Sequence, residues 1–153
     1  MNELIEKIGE SAVQAFKSGH NCSESIVIAF QNCNIIAINT ESLKMVSGFG
    51  GGLGHARDLC GALAGSTMVI GALIGRSSVQ EKPLQDIYEV TRAFRTEFLD
   101  KFGSTQCGEL MKFEFGTREH LKGCMILSKN TAMLLAEFLD KKALLQQRRG
   151  KKC

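Results

Sequence analysis

The pattern of apolar and polar positions predicts helices along the whole chain. Apolar residues recur at steps of three and four between Glu3 and Lys17, which is typical of one helix face. The same spacing runs from Leu84 to about Phe102, where Pro83 is suited to the first helical position and Gly103 to the end. No segment alternates strictly as a half-buried strand does. We therefore predict an all-α fold, a single compact bundle of five to seven helices.

Polar residues mark where several of these helices begin. Asn21, followed by Glu24 three positions later, predicts a capping box that opens a helix to about Asn32. Side chains expected to cap later helices are Asp58, Ser104 and Thr117. The uncharged stretch from Leu59 to Gly75 is shorter than the ~20 residues of a membrane span and rich in glycine. We interpret it as a buried central helix, Cys60–Gly75, whose glycines let another element approach closely.

Charge divides the chain into two parts. Hydrophobic residues make up 44% and charged residues 23%, as in globular proteins. Six of the 19 basic residues follow residue 140, which leaves 13 basic against 16 acidic residues before it. We predict a helical domain over residues 1–140 and a basic C-terminal tail over 141–153. No aromatic residue lies among the tail charges, so we expect a solvated helix end and no nucleic-acid partner.

The N-terminal residues lack the basic and apolar regions of a signal peptide. We therefore predict a cytoplasmic protein with no membrane span. In that compartment six cysteines indicate metal or redox chemistry more than structural disulfides.

The cysteines differ in their predicted surroundings. Cys22, Cys60 and Cys107 fall in first turns of predicted helices, where the dipole and free N–H groups favour a thiolate, and Cys124 follows the start of another. Cys33 lies near a helix end and Cys153 in the tail, so both are left outside the candidate site. No C-x-x-C pair is present. The residues alone leave open whether the four thiols form one site or are separate buried hydrophobes.

Other motifs give weaker indications of function. The glycine-rich loop over residues 48–54 fails the G-x-G-x-x-G spacing and follows no predicted strand, so we expect no bound nucleotide. It is better suited to positive-φ turns that bring backbone close to a buried site. Surface or capping roles are commoner than metal ligation or proton transfer for the three histidines, which are His20, His55 and His120. Arg57 is expected to supply charge beside Cys60.

Taken together, the cysteines and the glycine-rich loop resemble the pattern of a known family. A lone Cys22, a glycine-rich loop leading into Cys60-Gly61-Ala62-Leu63-Ala64-Gly65, and then Cys107 and Cys124 resemble the C_GCAxxG_C_C family. Those small bacterial and archaeal proteins are described as redox-active, and the likeness spans about Ile5 to Leu139. The resemblance implies that the four cysteines named here form the site. The family is also similar to the iron–sulfur portion of split-Soret cytochrome c, but no C-x-x-C-H is present, so no haem is implied.

Three hypotheses about function follow. In the first, the four cysteines bind an iron–sulfur cluster, [2Fe–2S], for electron transfer to an unknown redox partner. In the second, an oxidoreductase of the thiol–disulfide type uses Cys60 as its reactive, catalytic thiol. In the third, a non-redox interaction protein holds a structural zinc ion on the same four thiols. We also predict a homodimer through apolar helical faces, motivated by the Pro83–Phe102 helix, which a monomeric mass by light scattering would contradict.

Overall fold

The computed structural model describes residues 1–149 and 153, and it confirms the all-α prediction. The helices are α1 (Asn2–Lys17), α2 (Cys22–Asn32), α3 (Thr40–Lys44), α4 (Gly50–Leu53), α5 (Gly61–Ile74), α6 (Gln85–Phe102), α7 (Cys107–Leu110) and α8 (Arg118–Lys141), with a 3-10 turn at Ser47–Phe49. Within the described residues the sole β-type pairing is an isolated antiparallel bridge between Leu59 and Gln106.

Helices α2 and α5 lie at the centre of the bundle. Helix α2 packs against α1, α5 and α8, while α5 packs against α2, α6 and α8. The α2–α5 approach is so close that a Cβ on Gly65 would lie 2.6 Å from the carbonyl oxygen of Ser23. Fully buried Phe30, Phe94 and Phe98 fill the surrounding core. The predicted central helix and its close glycine contact are both confirmed.

The start of α2 is held by the predicted capping box. The Asn21 side chain accepts a 3.0 Å hydrogen bond from the Glu24 N–H, and Glu24 Oε1 accepts one of 3.0 Å from the Asn21 N–H. Asn21 Nδ2 also donates to the carbonyl oxygen of Ser47 at 2.9 Å. One side chain therefore orients the helix start that carries Cys22 and ties it to the chain entering the glycine-rich loop.

Replacing this cap should weaken the protein. We expect Asn21→Ala to lower the free energy of unfolding by about 1–2 kcal/mol, because it removes a helix cap together with a tie between two segments. Urea denaturation measures the loss. The matched control is Asn39→Ala, which removes an exposed cap whose side chain accepts only from the Ser42 N–H of its own helix, at 2.8 Å. Equal losses in the two variants would contradict a contribution from the bond to Ser47.

Two of the predicted caps are wrong. Helix α5 begins at Gly61 with Cys60 as its N-cap, and Asp58 instead uses its backbone to accept from the Cys107 N–H at 2.6 Å. Ser104 Oγ accepts from the Gln106 N–H at 3.0 Å, and Gln106 is the N-cap of α7. In both cases pairing between segments far apart in sequence decides the local backbone. By contrast, Thr117 does cap α8, accepting from the His120 N–H at 3.3 Å.

The long amphipathic helix α6 also differs from its prediction. It begins at Gln85 with Leu84 as N-cap, so Pro83 precedes the helix and is not its first residue, while Gly103 ends it with φ 87°. On its apolar face Phe94 and Phe98 are fully buried, whereas Ile87 and Val90 are partly buried against the core. A homodimer through apolar helical faces stays a prediction.

The C-terminal region continues past α8 along the bundle. Leu145 is buried, and the Arg148 N–H donates to the Asn34 carbonyl oxygen at 2.7 Å. Residues 150–152 of the predicted basic tail lie outside the described residues. None of the described helices is both long and apolar enough to cross a membrane.

Candidate cysteine site

The four cysteines of the sequence motif line one small internal cavity of about 20 Å³. Each comes from a different element: Cys22 is the first residue of α2, Cys60 the N-cap of α5, Cys107 the first residue of α7, and Cys124 lies in the second turn of α8. The rest of the wall is Gly51, Gly61, Leu110, Met111 and Leu127. Cys60 and Cys107 are buried, whereas Cys22 and Cys124 are partly exposed.

A short antiparallel pairing places Cys60 beside Cys107. The Cys60 N–H donates to the Thr105 carbonyl oxygen at 2.9 Å, and the Cys107 N–H donates to Asp58 at 2.6 Å. The isolated bridge between Leu59 and Gln106 lies within this ladder. Backbone hydrogen bonds thus hold together two thiols that are separated by 46 residues in the sequence.

The glycine-rich loop forms a left-handed turn against the thiols. Five consecutive residues from Gly51 to His55 have φ between 63° and 72°, and Arg57 follows with φ 63°. A non-glycine residue in this conformation costs about 1–2 kcal/mol, so Leu53, His55 and Arg57 store strain that surrounding contacts must offset. A Cβ on Gly52 would lie 2.6 Å from the Cys107 Cβ. The predicted close approach of positive-φ backbone to a buried site is confirmed.

Backbone N–H groups surround two of the sulfurs. The backbone N–H groups of Gly51, Ser23, Cys22 and Gly61 each act to lower the pKa of the Cys22 thiol. The backbone N–H groups of Leu63 and Ala62, in the first turn of α5, act in the same direction on the pKa of Cys60. Peptide donors of this kind stabilise sulfur that carries negative charge, as a thiolate or a metal ligand does.

Burial nevertheless dominates the acidity of the four thiols. It raises the pKa of Cys60 to about 12 and that of Cys124 to about 12, and the neighbouring thiols add to both shifts. It also raises the pKa of Cys22 and of Cys107, although Arg57 acts in the opposite direction on Cys107. Burial therefore opposes the thiolates that the helix starts were expected to favour. A reactive, low-pKa Cys60 is disfavoured by the same burial.

The donor set matches a group bound by four thiolates. Both a [2Fe–2S] cluster and a structural zinc ion take four cysteines. In the part of the chain that the structure describes, no group of three or more His, Cys, Asp or Glu side chains is already arranged to hold a metal ion. The cavity is about the size of one water molecule. The thiols must therefore change orientation to bind either group.

An aromatic and cationic cluster covers the Cys124 side of the site. His120 lies one helical turn before Cys124, with Nε2 3.4 Å from Sγ, and Gly116 N–H donates to Nδ1 at 3.2 Å. The Phe115 ring meets His120 edge-on at 4.8 Å and stacks on His55 at 4.2 Å. The Arg57 guanidinium lies 4.4 Å from the Phe115 centroid and donates to the carbonyl oxygens of Met111 and Phe113. Burial, with His55 and Arg57, lowers the pKa of His120.

A larger open cleft of about 500 Å³ reaches the same site from outside. Cys22 and Cys124 line both the cleft and the small cavity, whereas Cys60 and Cys107 line only the cavity. All three histidines also line the cleft, and His20 contacts Glu24 at 3.5 Å there. The partly exposed pair of thiols therefore forms the accessible side of the site.

The two remaining cysteines lie elsewhere. Cys33 is the C-cap of α2, is fully buried and does not line the cavity. Burial raises the pKa of Cys33, and the neighbouring Cys153 thiol adds to this shift. Their separation from the four-cysteine cavity agrees with their exclusion on the sequence.

Comparison with known proteins places this arrangement in a family. A family model described as "Putative redox-active protein (C_GCAxxG_C_C)" matches residues 20–138, which include all four cavity cysteines. The chain belongs to the C_GCAxxG_C_C family. A relative from Archaeoglobus fulgidus, named "Uncharacterized protein", is 26% identical over 149 residues, covering 92% of this chain and 99% of the relative. No solved structure matches the chain.

The structure adds site residues that the C_GCAxxG_C_C motif does not contain. Phe115, Met111 and the carbonyl oxygen of Thr105 had no signal in the sequence, because each reaches the site through tertiary contacts. His120 had one: its four-residue spacing from Cys124 places both on one face of a helix.

Proposed function

We propose that Cys22, Cys60, Cys107 and Cys124 bind a [2Fe–2S] cluster and that the protein transfers single electrons. The observation that carries the proposal is the single cavity lined by all four thiols. Backbone N–H groups that favour charged sulfur at Cys22 and Cys60 support it. Such donors tune the potential of an iron–sulfur centre. The redox description of the C_GCAxxG_C_C family agrees with this function.

Each part of the chain has a role in this proposal. The cluster supplies a one-electron couple when bound. The buried thiols Cys60 and Cys107 exclude water from the inner side, and Arg57 beside Cys107 offsets negative charge. The open cleft at Cys22 and Cys124 gives a redox partner its shortest approach, and a reducing compartment such as the cytoplasm keeps the four thiols available.

Zinc on the same thiols is the second candidate. The volume of the cavity favours it, since about 20 Å³ suits a single ion better than the four atoms of a [2Fe–2S] core. A zinc site would stabilise the fold without colour or electron transfer. Thiol–disulfide exchange through Cys60 has less support, because burial raises the pKa of this thiol to about 12.

Anaerobic purification with metal analysis distinguishes these functions. We expect visible absorption with two iron and two sulfide per chain, as the [2Fe–2S] formula requires, and the loss of all three signals in Cys60→Ser. Cys33→Ser is the matched control, since it changes a buried cysteine outside the cavity and should retain the cluster. A colourless protein with one zinc would replace the proposal with a structural site, and a protein with no metal after anaerobic reconstitution would contradict both.

A further inference from the structure

We propose that His120 is a positioning residue that donates a hydrogen bond from Nε2–H to the sulfur of Cys124. The existence of this bond is independent of any bound group. Its effect on electron transfer rests on the proposed function, because it requires Cys124 to bind the cluster. Neither the cysteine motif nor the family description includes this residue.

The hydrogen bond at the far side of the ring decides the tautomer. The Gly116 peptide N–H donates to His120 Nδ1 at 3.2 Å, and a peptide N–H has no acceptor function. Nδ1 must therefore carry the lone pair, which leaves the ring proton of the neutral imidazole on Nε2. Nε2 lies 3.4 Å from the Cys124 Sγ, within the range of a hydrogen bond to sulfur.

The ring is also held in this orientation. The Phe115 and His120 rings meet edge to face at an interplanar angle of 90°, and His120 is largely buried. The Thr117 side chain, three residues before His120, caps the N-terminus of α8. This cap fixes where α8 begins relative to Gly116. A ring flip would place carbon atoms opposite both the Gly116 N–H and the Cys124 sulfur, losing two hydrogen bonds in a buried place.

A hydrogen-bond donor to the Cys124 sulfur changes the midpoint potential of a bound cluster in one direction. Hydrogen bonds to ligating sulfurs disperse their negative charge, and that stabilises the more negatively charged, reduced state of a centre. Backbone N–H groups act in this direction at Cys22 and Cys60. His120 supplies the corresponding donor at Cys124, which borders the open cleft. Removing it should lower the midpoint potential.

Nitrogen NMR of the metal-free protein tests the hydrogen bond directly. With 15N-labelled histidine, we expect His120 to show a protonated Nε2 and an unprotonated Nδ1. A Cys124→Ala variant should shift the Nε2 resonance while Nδ1 keeps its bond to Gly116. A ring protonated on Nδ1, or an Nε2 signal insensitive to Cys124, would overturn the proposal. Direct ligation through Nε2 would appear in the reconstituted protein as an Nε2 without its proton.

Redox titration of the reconstituted protein tests the consequence. We expect His120→Leu to lower the potential by at least a tenfold change in the one-electron equilibrium, about 59 mV. His120→Gln, whose amide can still donate a hydrogen bond, should have a potential between those of the Leu variant and the wild type. If the Leu variant fails to fold, the Gln variant is compared with the wild type instead. His20→Leu, on the same cleft but paired with Glu24, is the matched control and should leave the potential unchanged.

The outcomes separate the two proposals. An unchanged potential in a cluster-loaded His120→Leu protein would overturn the positioning role. If the wild-type protein forms no cluster, the proposed function fails, while the NMR tautomer still decides whether His120 donates to Cys124.

Discussion

Gly61→Ala is expected to unfold more easily than the wild-type protein and to fail to bind the proposed metal centre. A Cβ at this position would collide with the Cys22 sulfur and lie 2.8 Å from the carbonyl oxygen of Phe49. The carbonyl belongs to the backbone of the 3-10 turn Ser47–Phe49, at the start of the glycine-rich loop, and has little freedom to move. We expect a loss of about 1–3 kcal/mol in the free energy of unfolding, as for other overpacked sites, together with displacement of Cys22 from the cavity.

Helix α5 supplies its own control for this change. Gly71 lies in the same helix, but a Cβ there would meet only Ile87 Cδ1, at an ordinary 3.9 Å. Gly71→Ala should therefore stabilise the protein by up to about 1 kcal/mol, because alanine favours helix more than glycine does. Urea denaturation and metal content of both variants check the prediction. A Gly61→Ala protein with wild-type stability and a full metal content would show that the contact at Cys22 relaxes without cost.

Alkaline pH is expected to destabilise the metal-free protein strongly. Burial raises the pKa of Cys60 and of Cys124 from the ordinary 9.0 to about 12 each. Between these pH values the unfolded chain has released both protons while the folded chain keeps them, so unfolding becomes more favourable as pH rises. Each such thiol costs about 1.4 kcal/mol per pH unit over this interval. Below pH 9 both states are protonated, and this contribution to stability is fully present.

Urea denaturation at pH 8 and pH 10.5, with a chelator and a reductant present, measures this loss. Cys60→Ser is the informative variant, because it removes one of the two ionisable groups and should show a shallower fall. Cys33→Ser lies outside the four-cysteine cavity and separates the effect of the site from that of other buried thiols. Parallel curves for wild type and Cys60→Ser would contradict the role of burial at this thiol.

The same shifts connect acidity to metal binding. A thiol with a raised pKa must lose its proton before the sulfur can bind a cation, so binding releases protons and strengthens as pH rises. The backbone N–H groups at Cys22 and Cys60 then face charged sulfur. A protein that is destabilised by alkali when metal-free is thus expected to be protected when loaded.

Much of the architecture was predictable because it depends on local periodicity. The apolar stripes of α1 and α6, the Asn21 capping box and the glycine stop at Gly103 are each specified by residues within a few positions. The errors at Asp58 and Ser104 have one cause. Both residues lie in segments whose backbone pairs across more than 40 positions, and local capping preferences do not describe such pairing.

For the site, the amino-acid sequence by itself determined which thiols are candidates, that helices start beside three of them, and that glycines border them. Only the tertiary structure decided that the four line one cavity, that the loop turns left-handed, and that His120 faces Cys124. The tertiary structure also raises the pKa of the four thiols, where the helix starts alone predicted a lowered pKa. A helix start and its N–H donors are local features, whereas desolvation depends on every element packed around the sulfur, and here burial outweighs the donors.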